Sequence, residues 1–233
     1  MPEPDKAISP SEVIDPFAVK DCALIALATG WKAHNLSELY YRLQTVPEAS
    51  VYYHYWGGLL LPRFEEREFN NDFAAWARHC LHDHILAERL AVVDPGAHQT
   101  LAGLRAETLE IIEQRLDELE GAPAAKPGQQ FQFIMSRMVV FDTGMRIRTP
   151  EEMAGAIPSF SAGAVFYHFI DARRRAPLGT DDFSGWLSGF GPQAERLTAD
   201  MAGLDPYFTT LTGLRQKIAA IFAHHAKGGS HEA

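Results

Sequence analysis

Val51-Tyr52-Tyr53-His54-Tyr55 reappears as Val165-Phe166-Tyr167-His168-Phe169, and the two histidines stand 114 residues apart (168 minus 54). The echo spreads outward in order. At the same offset Phe17 matches Phe131 and Thr29-Gly30 matches Thr143-Gly144, while at 110 (182 minus 72) Asp72-Phe73 and Trp76 match Asp182-Phe183 and Trp186. Asp94-Pro95 answers Asp205-Pro206, and Leu101, Gly103, Leu104 and Arg105 answer Leu211, Gly213, Leu214 and Arg215. Aromatic, turn and helix residues repeating in one order read as a tandem duplication, with one unit over residues 14–120 and a second over 131–226. Residues 121–130, rich in Pro, Gly and Ala, read as the linker. Residues 1–13 read as a flexible tail and 227–233 as a disordered one, with His224, His225 and His231 at that Gly-rich end.

Each unit has the same sequence of local signals. In the second, the β-branched and bulky run Phe131 to Phe141 meets Asp142-Thr143-Gly144 and continues as Met145 to Arg148, which reads as a β-hairpin. The matching stretch Val19 to Ala28 is alanine-rich and favours helix by propensity; the duplication argues for strand. Asn35 with Glu38, and Thr149 with Pro150 and Glu152, are helix starts in which the cap side chain accepts an orphan amide and the glutamate reaches back. The aromatic-histidine segments read as buried helices. Asn71-Asp72 and Asp181-Asp182 then cap helices carrying Trp76 and Trp186, and stripes such as Leu101, Leu104, Ile112 and Leu211, Leu214, Ile218 mark a last amphipathic helix in each unit. The expected fold is α+β and helix-rich: two units, each a hairpin followed by about four helices, packed as a pseudo-two-fold pair.

A chain of 233 residues with 46% hydrophobic residues can bury a full core. Its 21 basic residues against 30 acidic ones give a net charge of -9, which opposes attraction to nucleic acid and to anionic membranes. Only Cys22 and Cys80 are present, which suits a reducing cytoplasm. The start of the chain lacks the basic and apolar stretches of a signal peptide, and no apolar run reaches the roughly 18 residues of a membrane helix. Gly-rich phosphate loops, nucleophile elbows, paired CxxC, HExxH and dinucleotide fingerprints are all absent from the sequence.

The ordered set VKDCALIALATG, SVYYHYWG, NNDFAAWARH, LAERLAVVDP, FYHFIDARRR and DDFSGWL resembles a bacterial and archaeal family catalogued as domain of unknown function number 5752. The resemblance runs from about Pro16 to Phe222 and implies the two-part design over nearly the whole chain. It transfers no catalytic residue.

Four groups carry candidate chemistry. His54 and His168 occupy equivalent places and are candidate catalytic residues together with Asp171; against this, a histidine between aromatic residues is commonly a hydrogen-bonded core residue. Asp72 and Asp182 read as helix caps, and Trp76 and Trp186 as core anchors. His79, His82 and Asp83, at i, i+3 and i+4 on a helix, are candidate ligands for a divalent metal, or else a solvated or capping cluster. Arg173, Arg174 and Arg175 follow His168 only in the second unit and suit bidentate capture of a carboxylate or phosphate, or else make exposed ion pairs.

The repeated residues look like packing and capping, while the distinctive ones are scattered. The sequence therefore points to a non-catalytic cytoplasmic binding or accessory protein for an anionic small molecule or a protein partner. The alternatives are a hydrolase or transferase for a phosphorylated or carboxylated small molecule, with a composite and possibly metal-dependent site between the units, and a structural subunit of a larger assembly.

Overall fold

The computed structural model describes residues 14–60, 68–121, 123–175, 179–207 and 209–228; the expected tail over residues 1–13 and the last five residues of the expected C-terminal tail lie outside them. Among the described residues the sheet has two strands, β1 (Phe17–Ala33) and β2 (Phe131–Ile147), paired antiparallel. The hairpin expected within each unit does not form. Phe131 to Ile147 is one continuous strand whose partner lies in the other half of the chain, and the alanine-rich first stretch is its equal in length.

The difference centres on Thr-Gly. Gly30 and Gly144 do take positive φ, 79° and 78°, as turn glycines would. Here they make β-bulges, where the register shifts between Ala18 and Lys20 and between Ala28 and Lys32. At each bulge the threonine hydroxyl fills the gap. Thr29 Oγ1 donates to the Phe133 carbonyl (2.6 Å) and accepts from Trp31 N (3.1 Å); Thr143 Oγ1 donates to the Val19 carbonyl (2.7 Å) and accepts from Met145 N (3.2 Å). The strands therefore bend without reversing.

The helices are α1 (Leu36–Thr45), α2 (Glu48–Trp56), α3 (Asp72–His79), α4 (His84–Ala91) and α5 (Leu101–Glu118), then after β2, α6 (Pro150–Ala156), α7 (Ala162–Val165), α8 (Asp182–Leu187), α9 (Glu195–Ala202) and α10 (Leu211–Gly228). The fold is thus α+β and helix-rich. Both expected helix starts are present: Glu38 N donates to Asn35 Oδ1 at 2.8 Å and Glu152 N to Thr149 Oγ1 at 3.2 Å, while each glutamate accepts from the amide before the cap. The second aromatic-histidine segment continues α7 through a wider π turn (Phe166–Ile170) and a tight turn (Asp171–Arg174). His224 and His225, read as tail residues, lie in α10, and His225 bonds Asp200 at 2.8 Å. The linker region is tied down, with Ala125 N donating to His34 O (2.8 Å) and Leu36 N to Pro123 O (3.2 Å). Among the described residues no helix is long and apolar enough to cross a membrane.

One core runs through both halves. α2 packs on β2 and α7 on β1, so each half's aromatic helix lies against the strand of the other half. Gly163 makes the second contact possible. A Cβ there would strike the Asp21 carboxylate and the Cys22 carbonyl, and the Cys22 thiol donates to the Gly163 carbonyl at 3.3 Å.

Candidate functional site

His54 is buried in α2 with its Nδ1 3.0 Å from Asp72 Oδ2, while its Nε2 accepts the backbone N–H of Ile134 at 3.2 Å. His168 repeats the arrangement, with Nδ1 2.6 Å from Asp182 Oδ2 and Nε2 accepting from Lys20 N at 2.8 Å. A nitrogen that accepts from an amide bears no proton, so each ring carries its proton on Nδ1 and donates it to the aspartate. Both nitrogens of both rings are occupied. The rings are sandwiched by aromatic side chains: His54 by Phe131 (4.6 Å) and Phe73 (5.4 Å), His168 by Phe17 (4.7 Å) and Phe183 (5.9 Å).

Asp72 and Asp182 therefore serve the histidines. The caps of α3 and α8 are their neighbours Asn71 and Asp181, which accept from Ala74 N (2.8 Å) and Ser184 N (2.9 Å). Trp76 and Trp186 complete the grip on the opposite strand's approach, donating to the carbonyls of Gln129 (2.8 Å) and Asp15 (3.1 Å). The structure does not bring the two histidines into one pocket. Ile134 pairs with Ala28, which lies eight residues (28 minus 20) along β1 from Lys20, about 26 Å of strand.

The second half alone adds arginines. Arg175 Nη2 donates to Asp182 Oδ2 (3.0 Å) and to the Tyr167 carbonyl (2.8 Å), its Nε is 3.3 Å from Asp171 Oδ2, and its guanidinium lies 4.1 Å over the Tyr167 ring. It thus joins His168 and Asp182 at a cleft of about 260 Å³ that Phe17 and Lys20 also line. Arg173 stacks on Phe169 at 4.1 Å, with Nη2 3.7 Å from Asp181. Arg174 differs from both. Its guanidinium lies 4.4 Å over Trp56 and 5.8 Å from the Tyr52 ring centre, Nη1 is buried without a hydrogen-bond partner, and no carboxylate among the described residues is within ion-pair distance. Burial pulls the Arg174 pKa down, partly offset by Tyr52 and Asp171. Around it, the Tyr52 hydroxyl donates to Asp171 Oδ1 at 2.9 Å, and the Tyr207 hydroxyl is close enough to act on Arg174. Burial first, and neighbouring negative charge second, push Tyr52 far above the ordinary phenol range; burial pushes Tyr207 up to about 12. This aromatic cage around a desolvated cation draws on both halves of the chain.

A family model described as a family of unknown function, DUF5752, matches residues 14–223. The chain belongs to DUF5752. OrfY from Thermoproteus tenax has a similar structure, with a TM-score of 0.73, 24% sequence identity, and coverage of 90% of this chain and 95% of that one. At that identity the likeness shows the fold. No curated protein matches the sequence.

In this DUF5752 chain the His79, His82 and Asp83 group does not form one helical face. α3 ends at His79, and His82 adopts φ 57°, so the chain reverses and Asp83 N reaches the Ala77 carbonyl at 2.9 Å. Asp83 is buried as the cap of α4, accepting from Leu86 N (3.0 Å) and Arg115 Nε (2.9 Å), while His79 Nε2 sits 3.1 Å from Glu68. Among the described residues no cluster of three or more His, Cys, Asp or Glu side chains is arranged to hold a metal ion. The sequence points to Arg174 only as one of three arginines. Its cage is hidden there because Tyr52, Trp56 and Tyr207 come from segments far apart in the chain.

Proposed function

We propose that this DUF5752 chain is a tandem duplication packed about a pseudo-two-fold axis, and that it acts as a non-catalytic cytoplasmic binding protein holding a carboxylate or phosphate at Arg174. The register supports the first part. Adding 114 to a β1 number and subtracting it from its partner turns Phe17↔Ile147 into Ala33↔Phe131 and Lys20↔Asp142 into Ala28↔Ile134; Leu24↔Met138 maps onto itself and marks the axis. Contacts remote from the strands follow suit. Arg105 Nη2 donates to the Val46 carbonyl at 2.8 Å, and Arg215 Nη1 to the equivalent Phe160 carbonyl at 2.6 Å.

The observation that carries the binding reading is Arg174, a partly buried guanidinium stacked on an indole and lacking an acidic partner among the described residues. A desolvated cation gains more from an incoming anion than a hydrated one does, and the planar fork matches two oxygens. Occupied nitrogens on His54 and His168 favour binding over catalysis, since a general base needs a free lone pair. The reading is tested by thermal shift and calorimetry with inorganic phosphate and succinate. A rise in melting temperature that disappears in Arg174→Met is expected by linkage; a response that survives Arg174→Met, or none to either anion, would sink it.

A further inference from the structure

The offset of 114 between the halves supplies an internal control on the Arg174 cage. At that offset Arg174 corresponds to Leu60, Asp171 to Gly57 and Glu48 to Ala162. Leu60, Gly57 and Ala162 lie together, lining a hollow of about 450 Å³ between the end of α2, the start of α7 and the middle of β1. That copy of the hollow is mostly apolar. Its one charged lining residue is Asp21, whose Oδ1 accepts from Cys22 N at 2.7 Å. The other copy sets a cation and two carboxylates where the first has leucine, glycine and alanine. Since those three small or apolar residues satisfy the fold, packing does not call for the charges.

Helical spacing puts the charged groups in a line. Glu48, Tyr52 and Trp56 stand four residues apart on α2 and share a face, and the Arg174 guanidinium lies 5.8 Å from the Tyr52 ring centre and 4.4 Å from that of Trp56. Asp171 is already committed: Oδ1 accepts from the Tyr52 hydroxyl at 2.9 Å, and Oδ2 is 3.3 Å from Arg175 Nε. Glu48 is not. It is exposed, its carboxylate forms no ion pair among the described residues, and its charge reaches Arg174. Arg174 in turn keeps a buried Nη1 without a hydrogen-bond partner.

We propose that the cage takes a zwitterion, with the ligand's carboxylate on Arg174 and its ammonium on Glu48, which is the chemistry of a small amino acid. Charge selects this class. Arg173 and Arg175 are offset by Asp181 and Asp182 at 3.7 and 3.0 Å, which leaves Arg174 facing Asp171 and Glu48. A dianion such as phosphate adds to that excess of negative charge, whereas a ligand carrying both signs completes two pairs in a partly desolvated site. The inference rests on the anion reading at Arg174 and narrows it.

Calorimetry on the full chain tests it with glycine, β-alanine and 4-aminobutyrate, each beside the plain carboxylate of matching length, and with inorganic phosphate as the dianion. We expect at least one amino acid of the series to bind roughly three- to tenfold tighter than its plain carboxylate. Glu48→Gln removes that margin, while the plain carboxylate holds or gains affinity because a nearby negative charge is gone. Glu48 is exposed in the first turn of α2, so the variant keeps its fold, which far-UV circular dichroism checks. Plain carboxylates that bind as tightly as every amino acid, a margin that survives Glu48→Gln, or phosphate as the tightest ligand overturns the zwitterion and leaves the anion site standing. Binding of none of these compounds removes both.

Discussion

His54 and His168 look like the beginnings of catalytic dyads, each paired through Nδ1 with an aspartate. What separates them from a general base is the amide on the other nitrogen. Lys20 N and Ile134 N lie outside the β1–β2 ladder and would be unpaired without the imidazoles, and unpaired buried amides are expensive. The histidines thus act as fasteners between helix and strand. His168→Phe keeps the aromatic volume against Phe17 and Phe183 but abandons both the Lys20 amide and the Asp182 carboxylate. We expect it to cost roughly 1–3 kcal/mol, measured as a lowered urea midpoint. His168→Gln, which can still accept from the amide, should cost less. A His168→Phe protein as stable as the parent would show that the bond contributes nothing. The equivalence of the two histidines is legible in the sequence; the identity of their partners is not, because Lys20 is 148 residues from His168 and carries no side-chain signal for the bond.

Most of the elements are legible because their signals are local. The helix caps at Asn35 and Thr149, and the last helix of each half, depend on residues within a few positions of one another. The expected hairpins fail because a Thr-Gly pair supplies positive φ equally well to a turn or to a bulge, and only the distant partner strand decides between them. Metal-ligand spacing at His79 to Asp83 fails for a related reason, since His82 breaks the helix on which the spacing relies. The bulge itself can be tested. Gly144 has φ 78°, and a Cβ added there would meet no atom within 4 Å, so Gly144→Ala brings backbone strain with no steric clash. A left-handed alanine costs roughly 1–2 kcal/mol. The melting temperature should fall accordingly, whereas Gly155→Ala, in α6 and equally open, should leave it level or raise it. Equal effects at the two positions would argue against a bulge held by glycine.

At the scale of the whole molecule, the decisive feature is that each half completes the core of the other. Phe131 and Phe133 from the second half's strand are buried against His54, and Phe131 also packs on Phe73 and Trp76; Phe17 from the first half's strand packs on His168, Phe183 and Trp186. Cutting the chain in the 121–130 segment would therefore leave each fragment with an open aromatic slot and a strand lacking its pair. A lone two-stranded ribbon is marginal at best, and a lone strand has no ladder at all. Each buried phenylalanine withdrawn forfeits roughly 1.5–3 kcal/mol of burial, against a total stability of only about 5–15 kcal/mol for a domain. Fragments 1–120 and 121–233, expressed alone, should then show weak tertiary signals and no cooperative melt, while mixing or co-expressing them should restore both, because the strands can still exchange. Circular dichroism and tryptophan fluorescence of each fragment, separately and combined, make the measurement. Two fragments that each melt cooperatively would mean that the halves are independent domains and that the exchanged strands are incidental to folding.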